Sequence, residues 1–171
     1  MSEPRLSVVV PAYNEAESLP ELHRELKAAL EAMGTSWEVL YVDDGSRDGT
    51  DQVIERLCAA DARARGILLS RNFGKSAALA TGFNAVRGEF VCTLDADLQD
   101  DPAELPRLFA ALDHGLDVVS GWKVKRRDPI TKRWPSKLFN AVTSAVAGVR
   151  LHDFNCGFKL YRREVVDALE V

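Results

Sequence analysis

The sequence predicts an α/β fold: a mostly parallel sheet with helices on both faces. Two features carry this: apolar runs alternate with helix-like segments, and polar clusters follow the runs at their carboxyl ends. A length of 171 residues at 46% apolar composition suits one domain with a sizeable core. Residues 6–10 read as a first buried strand, ended by Pro11. Residues 15–33 carry Leu19, Leu22, Leu26, Ala29 and Leu30 at helical spacing, and Gly34 supplies a stop. Residues 37–42 form a second strand, and 48–61 a helix with Val53, Ile54 and Leu57 inward. Residues 66–69 are a third strand. Residues 75–86 are an alanine-rich helix whose small side chains permit close packing, closed by Gly88. Residues 90–94 are a fourth strand, Pro102 opens the next helix at a favoured first-turn position, and 117–120 are a fifth strand. The pattern then changes. Residues 123–137 are basic, contain Pro129 and Pro135, and read as a loop leading into a new helix over 138–149. That helix reads first as a packing helix, with an amphipathic cover over the site or a membrane contact as the alternative.

Composition narrows the function. A net charge of −4 and a pI near 5.4 give no global attraction for polyanions, which argues against general nucleic-acid binding. Cys58, Cys92 and Cys156 lie far apart without metal-finger spacing, and an odd number of thiols suits a reducing, cytoplasmic compartment. The first five residues lack a signal peptide's apolar core, and no apolar run approaches the roughly 20 residues of a membrane span. The expectation is a soluble chain as given.

The most informative stretch is L-D-A-D-L-Q-D-D-P at 94–102, which follows an apolar run. Read as extended backbone, it sets Asp95 and Asp97 on one face of a strand's end, able to hold one hard cation between them. Mg²⁺ and Mn²⁺ commonly bind through one or two carboxylates plus substrate phosphates and water. Ligands of open α/β sheets gather beyond the carboxyl ends of the strands, where this chain places three further polar loops. They are P-A-Y-N-E at 11–15, D-D-G-S at 43–46 and S-R-N-F-G-K at 70–75. Singly, each loop can be ordinary capping, since Asn14 and Ser46 are good cap residues and Asp48 suits a helix N-terminus. Jointly they form a rim. Asp43 and Asp44 can accept hydrogen bonds from a base or ribose, Tyr13 can pack on a planar base, and Arg71 and Lys75 can pair with phosphates. Gly74-Lys75-Ser76 resembles the end of a P-loop, but Leu69 stands where that motif needs its first glycine, so an ATPase is rejected. No G-x-G-x-x-G opens the first helix, which removes the main signal for a dinucleotide-dependent oxidoreductase.

The basic stretch holds Lys123, Lys125, Arg126, Arg127, Lys132, Arg133 and Lys137 against Asp128 alone. A solvated face is one reading. Its place just after the fifth strand favours contact with a diphosphate, a phosphorylated acceptor or anionic headgroups. His152 reads as a surface residue, and Asp153 carries more interest.

With these residues assembled, the chain resembles family 2 glycosyltransferases of the GT-A fold, and among them the polyprenyl-phosphate glycosyltransferases that include dolichyl-phosphate mannose synthase. The carriers are V-V-V-P-A-Y-N-E at 8–15, V-D-D-G-S-R-D-G-T at 42–50, S-R-N-F-G-K at 70–75, L-D-A-D-L-Q-D at 94–100 and D-F-N-C-G-F-K-L-Y-R-R-E-V at 153–165. The resemblance implies one GT-A domain, with a nucleotide-sugar and metal half over about 1–122 and an acceptor half over about 123–171. It implies Mg²⁺ or Mn²⁺ held by Asp95, Asp97 and Gln99. Donor contacts are implied at Pro11, Tyr13, Asn14, Glu15, Asp43, Asp44, Gly45, Arg71, Lys75, Asp95, Ala96, Lys123 and Lys137. Lys123 and Lys137 stand where mannose-transferring relatives tend to show arginines, which favours a UDP-sugar over GDP-mannose. The S-R-N-F-G-K loop looks closer to bacterial polyprenyl-phosphate glucosyl- or aminoarabinosyl-type transferases. Such relatives continue past the position of Val171, many into membrane helices, so the expectation is a piece of a longer protein at the cytoplasmic membrane face.

The expected reaction is inverting transfer of a sugar from a nucleoside diphosphate to a polyprenyl (undecaprenyl or dolichyl) phosphate, with Asp97 and Asp153 as catalytic residues. A lipid phosphate is already ionised near neutral pH and needs no strong base. A saccharide hydroxyl acceptor would need one, and Asp153 is the candidate. Three alternatives stay open: that hydroxyl-acceptor transferase, a sugar-1-phosphate nucleotidyltransferase, and an inactive nucleotide-sugar-binding module. The nucleotidyltransferase is disfavoured, because P-A-Y-N-E stands where it would carry a glycine-rich basic loop.

Overall fold

The computed structural model describes residues 3–112, 115–121 and 156–169. The basic stretch, the helix expected over 138–149, and Lys123, Lys137, His152 and Asp153 lie outside them. Six strands form one sheet: β1 (Leu6–Ala12), β2 (Trp37–Asp43), β3 (Ala64–Leu68), β4 (Phe90–Thr93), β5 (Val118–Ser120) and β6 (Lys159–Arg162). Their order is β3-β2-β1-β4-β6-β5. The pairs β2–β3, β1–β2 and β1–β4 are parallel, and β6 runs antiparallel to both of its neighbours. The helices are α1 (Leu19–Ala32), α2 (Thr50–Ala60), α3 (Lys75–Ala85), α4 (Leu105–Leu112) and α5 (Arg163–Asp167), with a 3₁₀ turn at Pro102–Glu104.

Side-chain alternation along the strands divides the core in two. Leu6, Val8, Val10 and Ala12 pack with Leu19, Leu22, Leu26 and Leu30 of α1, Ile54 of α2, and Leu105 and Leu112 of α4. On the opposite face Val9, Leu40, Val42 and Val91 meet Ala78 of α3 and Val166 of α5. Helices therefore cover both faces, as the alternation of segments predicts. Close packing of α3 depends on Gly82, where a Cβ would stand 2.4 Å from a Val9 methyl.

The structure moves several boundaries for identifiable reasons. Pro11 lies inside β1 rather than ending it, opposite Val42. Pairing of β1 with β4 stops at Val9, whose carbonyl accepts from Leu94, so Pro11 lacks its N–H on the side where that ladder has ended. Helix α1 starts at Leu19 instead of residue 15. The intervening backbone is committed elsewhere: Glu15 N–H donates to Thr50 Oγ1 (2.9 Å) and Ala16 N–H to Asp48 Oδ2 (3.0 Å). The fifth strand of the sequence reading is followed by a sixth that it lacks. In β6 only Leu160 is fully buried, too short an apolar signal to stand out. Arg162 secures this strand, placing its guanidinium 5.7 Å from the Phe90 ring centroid and donating to the carbonyls of Leu112 and Leu116.

At the end of the sheet where the parallel strands begin, Glu38 is 1% exposed and gathers four partners. It accepts from Ser7 Oγ (2.8 Å), Arg65 (3.0 Å), and the backbone and guanidinium of Arg87. Burial alone would raise its pKa, but the hydrogen bonds from Arg87, Ser7 and Arg65 outweigh it and hold the carboxyl below its ordinary value. On the helix side, burial lowers the pKa of His23, whose Nδ1 lies 2.8 Å from the Tyr41 hydroxyl. Both shifts act in one direction on stability. A lowered His favours the neutral folded form, so stability falls as pH drops below the unfolded value near 6.5. A lowered Glu contributes stability that is present above its unfolded value and lost as pH falls through the folded one. Denaturant titrations are expected to show a stability plateau above pH 7 and a decline beginning near 6 that steepens below 4.5. Glu38→Ala is expected to cost about 1–3 kcal/mol and to flatten the acid limb of that profile.

Candidate active site

The polar loops at the carboxyl ends of β1, β2, β3 and β4 are stitched into one rim. Asn14, at φ +57°, donates its N–H to Ser46 Oγ (2.8 Å) and accepts from Arg47 N–H (2.9 Å). Asp44 N–H donates to the Ala12 carbonyl, so the β1 and β2 loops move as one body. Asp43 is buried and accepts from the Ser46 backbone and hydroxyl. Tyr13 is left 46% exposed on this frame.

Asp44 ties the β2 loop to the β3 loop. Its two oxygens accept from Phe73 N–H (2.8 Å) and Gly74 N–H (2.9 Å), fixing the start of α3 and the position of Lys75. Gly45 sits beneath the same loop. At φ +70°, a Cβ there would lie 2.3 Å from the Arg71 carbonyl carbon. Gly45→Ala is therefore expected to cost about 1–3 kcal/mol from backbone strain alone. It should also displace Arg71 and Asn72, whose backbone the added methyl would meet, and a melting curve would show the loss of stability.

Asp95 and Asp97 do not share a strand face as extended neighbours. Strand β4 ends at Thr93, and Ala96 and Asp97 belong to a turn. The turn still brings both carboxylates to one cleft of about 310 Å³, lined also by Pro11, Ala12, Tyr13, Glu15, Asp44, Asn72, Gly74, Lys75, Ala78 and Ala96. Asp97 Oδ1 accepts from Gln99 N–H (3.1 Å), which shapes the turn. The Gln99 side chain is exposed and is not among the residues lining the cleft. Lys75 Nζ lies 2.5 Å from Asp95 Oδ1. Behind Asp95 stands Gly157, where a Cβ would fall 2.3 Å from Oδ1. The Gly157 carbonyl is held by Thr93 Oγ1 at 2.6 Å.

This donor set fits a hard divalent cation. Two carboxylates two residues apart line the same cleft, and Gly157 packs closely on one of them. Among the described residues no group of three His, Cys, Asp or Glu converges; Asp95 and Asp97 would hold such an ion together with substrate oxygens and water, the usual habit of Mg²⁺. A second hollow of about 290 Å³ adjoins the first, lined by Tyr13, Asp43, Gly45, Ser46, Arg71 and Asn72 among others. Tyr13 and Asn72 border both. The Arg71 guanidinium stacks 4.6 Å from the Phe73 ring centroid.

The structure thus brings Pro11, Tyr13, Glu15, Asp44, Lys75, Asp95, Ala96 and Asp97 to one cleft. It places Asp43, Gly45 and Arg71 in the adjoining hollow, and it uses Asn14 to join the loops beneath. Sequence reasoning places Asn72 on the rim without giving it a contact, and misses Thr93 and Gly157. Gly157 was visible only as a member of the N-C-G-F stretch.

A sheet of this order with an acidic turn after β4 defines the GT-A class of glycosyltransferase fold. Glucosyl-3-phosphoglycerate synthase from Mycobacterium tuberculosis, crystallised with Mn²⁺, uridine diphosphate and phosphoglyceric acid, has this fold. It superposes with a TM-score of 0.77 at 21% identity, over 97% of this chain and 58% of its own. The chain belongs to glycosyl transferase family 2, whose family model matches residues 7–170. A mannosyltransferase from Pyrobaculum calidifontis, crystallised with GDP-Man and Mn²⁺, matches with a TM-score of 0.65 at 26% identity, covering 99% of this chain and 48% of its own. Among curated relatives, the undecaprenyl-phosphate 4-deoxy-4-formamido-L-arabinose transferase of Pseudomonas paraeruginosa is 44% identical over 165 residues, 96% of this chain. The enzyme of the same name from Salmonella paratyphi A is 42% identical over 166 residues. The chain spans about half the length of these relatives, 49% and 51%.

Proposed function

We propose that this chain is the donor-binding catalytic part of an inverting transferase that moves a sugar from a nucleoside diphosphate to a polyprenyl phosphate. The cleft carries the reading: Asp95, Asp97 and Lys75 line one space bordered by Tyr13, at the carboxyl ends of the parallel strands, with Lys75 in contact with Asp95. Support for the acceptor comes from the relatives above 40% identity, which are named for undecaprenyl phosphate. The base is assigned to the hollow beside Tyr13, Asp43 and Arg71, and the diphosphate to the cleft beside Lys75. Asp95 and Asp97 would hold Mg²⁺ or Mn²⁺, with Gln99 as a supporting neighbour. Such an ion supplies charge stabilisation for the departing nucleoside diphosphate.

The chain's own residues do the rest. Tyr13 offers an exposed ring for a planar base, and Lys75 a mobile ammonium for phosphate oxygens. Among the described residues, no histidine lines the cleft. A phosphate acceptor, ionised near neutral pH, needs no general base. Lys123, Lys137 and Asp153 are assigned to the donor and acceptor phosphates on the family resemblance. A UDP-sugar is favoured over GDP-mannose on the same ground. No helix among the described residues is long and apolar enough to cross a membrane. We assign the site of action to the cytoplasmic membrane face, where a lipid acceptor is reached from water.

A panel of UDP-, GDP- and dTDP-sugars with Mn²⁺ tests the donor assignment by thermal shift, since a ligand of the folded state raises its apparent stability by mass action. A shift with one base and transfer of its labelled sugar to undecaprenyl phosphate in vesicles are expected. Binding without transfer would instead support the inactive binding module.

A further inference from the structure

We infer that Lys75 and the divalent cation are rivals for Asp95, so that a diphosphate admits the metal by drawing Lys75 away. The inference rests on the reading of the cleft as the donor site. Its basis is a contact: Lys75 Nζ stands 2.5 Å from Asp95 Oδ1, and Lys75, Asp95 and Asp97 line one cleft. The Asp95 carboxylate has little freedom to move, because Gly157 packs so closely on it that a Cβ there would fall within 2.5 Å of both oxygens. The lysine is the partner with room to move. Its side chain is 52% exposed against 22% for Asp95, while its Cα is fixed by the hydrogen bonds from Phe73 and Gly74 to Asp44. The four-carbon stem therefore pivots about a fixed point between two anions on the same cleft wall: the Asp95 carboxylate and an incoming phosphate.

An ammonium and a dication on one carboxylate repel each other, so occupancy by one weakens the other. Once a phosphate takes the ammonium, that repulsion falls and a new negative charge adds to the metal's surroundings. Metal and diphosphate then bind with positive coupling, and the coupling is reciprocal by thermodynamic necessity. Lys75 serves here as a positioning residue for the metal as well as a phosphate contact, and its two tasks are exclusive in time. Its removal has opposite effects on the two ligands, which no purely structural role would produce.

The test is Mn²⁺ binding followed by loss of the free-ion electron paramagnetic resonance signal, alone and with UDP or GDP, in the wild type, Lys75→Met, Asp95→Asn and the double variant. Lys75→Met is expected to bind Mn²⁺ alone about three- to tenfold more tightly than the wild type, somewhat above the worth of an exposed ion pair because the displaced charge faces a dication. The same variant is expected to lose most of the tightening that nucleotide confers. In the Asp95→Asn background the lysine change is expected to have no effect, closing a double-mutant cycle. Equal or weaker Mn²⁺ binding by Lys75→Met, alongside lost binding by Asp95→Asn, would overturn the rivalry and leave the donor site standing. Unchanged nucleotide-dependent Mn²⁺ binding in Asp95→Asn would instead overturn the donor-site reading itself.

Discussion

Asp97→Asn is expected to lower metal-dependent sugar transfer by about 100-fold or more while leaving the melting temperature unchanged. The magnitude follows from the several kcal/mol of charge stabilisation that a bound metal supplies, at roughly tenfold in rate for each 1.4 kcal/mol. The substitution is mild in every other respect. Asn retains Oδ1 as an acceptor for the Gln99 N–H, so the turn that follows β4 keeps its hydrogen bond. Asp97 is exposed, so no core contact is lost. What disappears is one negative charge and one hard ligand. A Mn²⁺ titration and a transfer assay on the same preparation check the two expectations together. Turnover equal to wild type would remove Asp97 from the metal site.

Gly157→Ala is expected to abolish metal binding from a position that never touches the ion. An alanine methyl would lie 2.3 Å from Asp95 Oδ1 and 2.5 Å from its Cγ, far inside contact distance. The backbone cannot yield easily, because Thr93 Oγ1 holds the Gly157 carbonyl and β6 is paired with β4 two residues later. The carboxylate must therefore rotate out of the cleft. Overpacking of this kind costs about 1–3 kcal/mol, which a cooperative melt would register as a modest shift without loss of the fold. Gly121→Ala is the control. A Cβ there meets the Phe158 carbonyl at 3.1 Å and Cys156 Sγ at 3.4 Å, contacts that small shifts can absorb, and Mn²⁺ binding is expected to persist. Normal Mn²⁺ affinity in Gly157→Ala would show that the close packing of Gly157 does not set the position of Asp95.

The contrast between these two residues shows what the amino-acid sequence makes legible. Asp97 is readable because its chemistry is local: two acids two residues apart after a buried run. Extended backbone is the wrong geometry for the pair, since β4 ends at Thr93 and Asp97 lies in the turn that follows Asp95, yet both acids reach the cleft. The parallel core was legible for the same reason, with Leu6, Val8 and Val10 alternating against Val9 along β1. Gly157 acts across more than 60 residues of chain, through a backbone contact that no pattern near it announces. Strand β6 was missed because it buries little beyond Leu160 and borrows stability from Arg162 over Phe90. The early start expected for α1 fails because Glu15 and Ala16 donate to the α2 entrance, partners 35 and 32 residues away that helical periodicity does not see. Asp44 is the mixed case. Its acidity marked it as a ligand residue, and the structure shows both of its oxygens also holding the loop that carries Lys75.

The central claim is that Asp95 and Asp97 grip a divalent ion against a nucleoside diphosphate. A crystal grown with Mn²⁺ and the donor nucleotide, measured at a wavelength where manganese scatters anomalously, tests it most directly. The account predicts a single strong anomalous peak within bonding distance of both carboxylates and of the diphosphate oxygens, with Lys75 turned from Asp95 toward phosphate. A diphosphate bound in the cleft with no peak there, or with Lys75 still seated on Asp95, would contradict it.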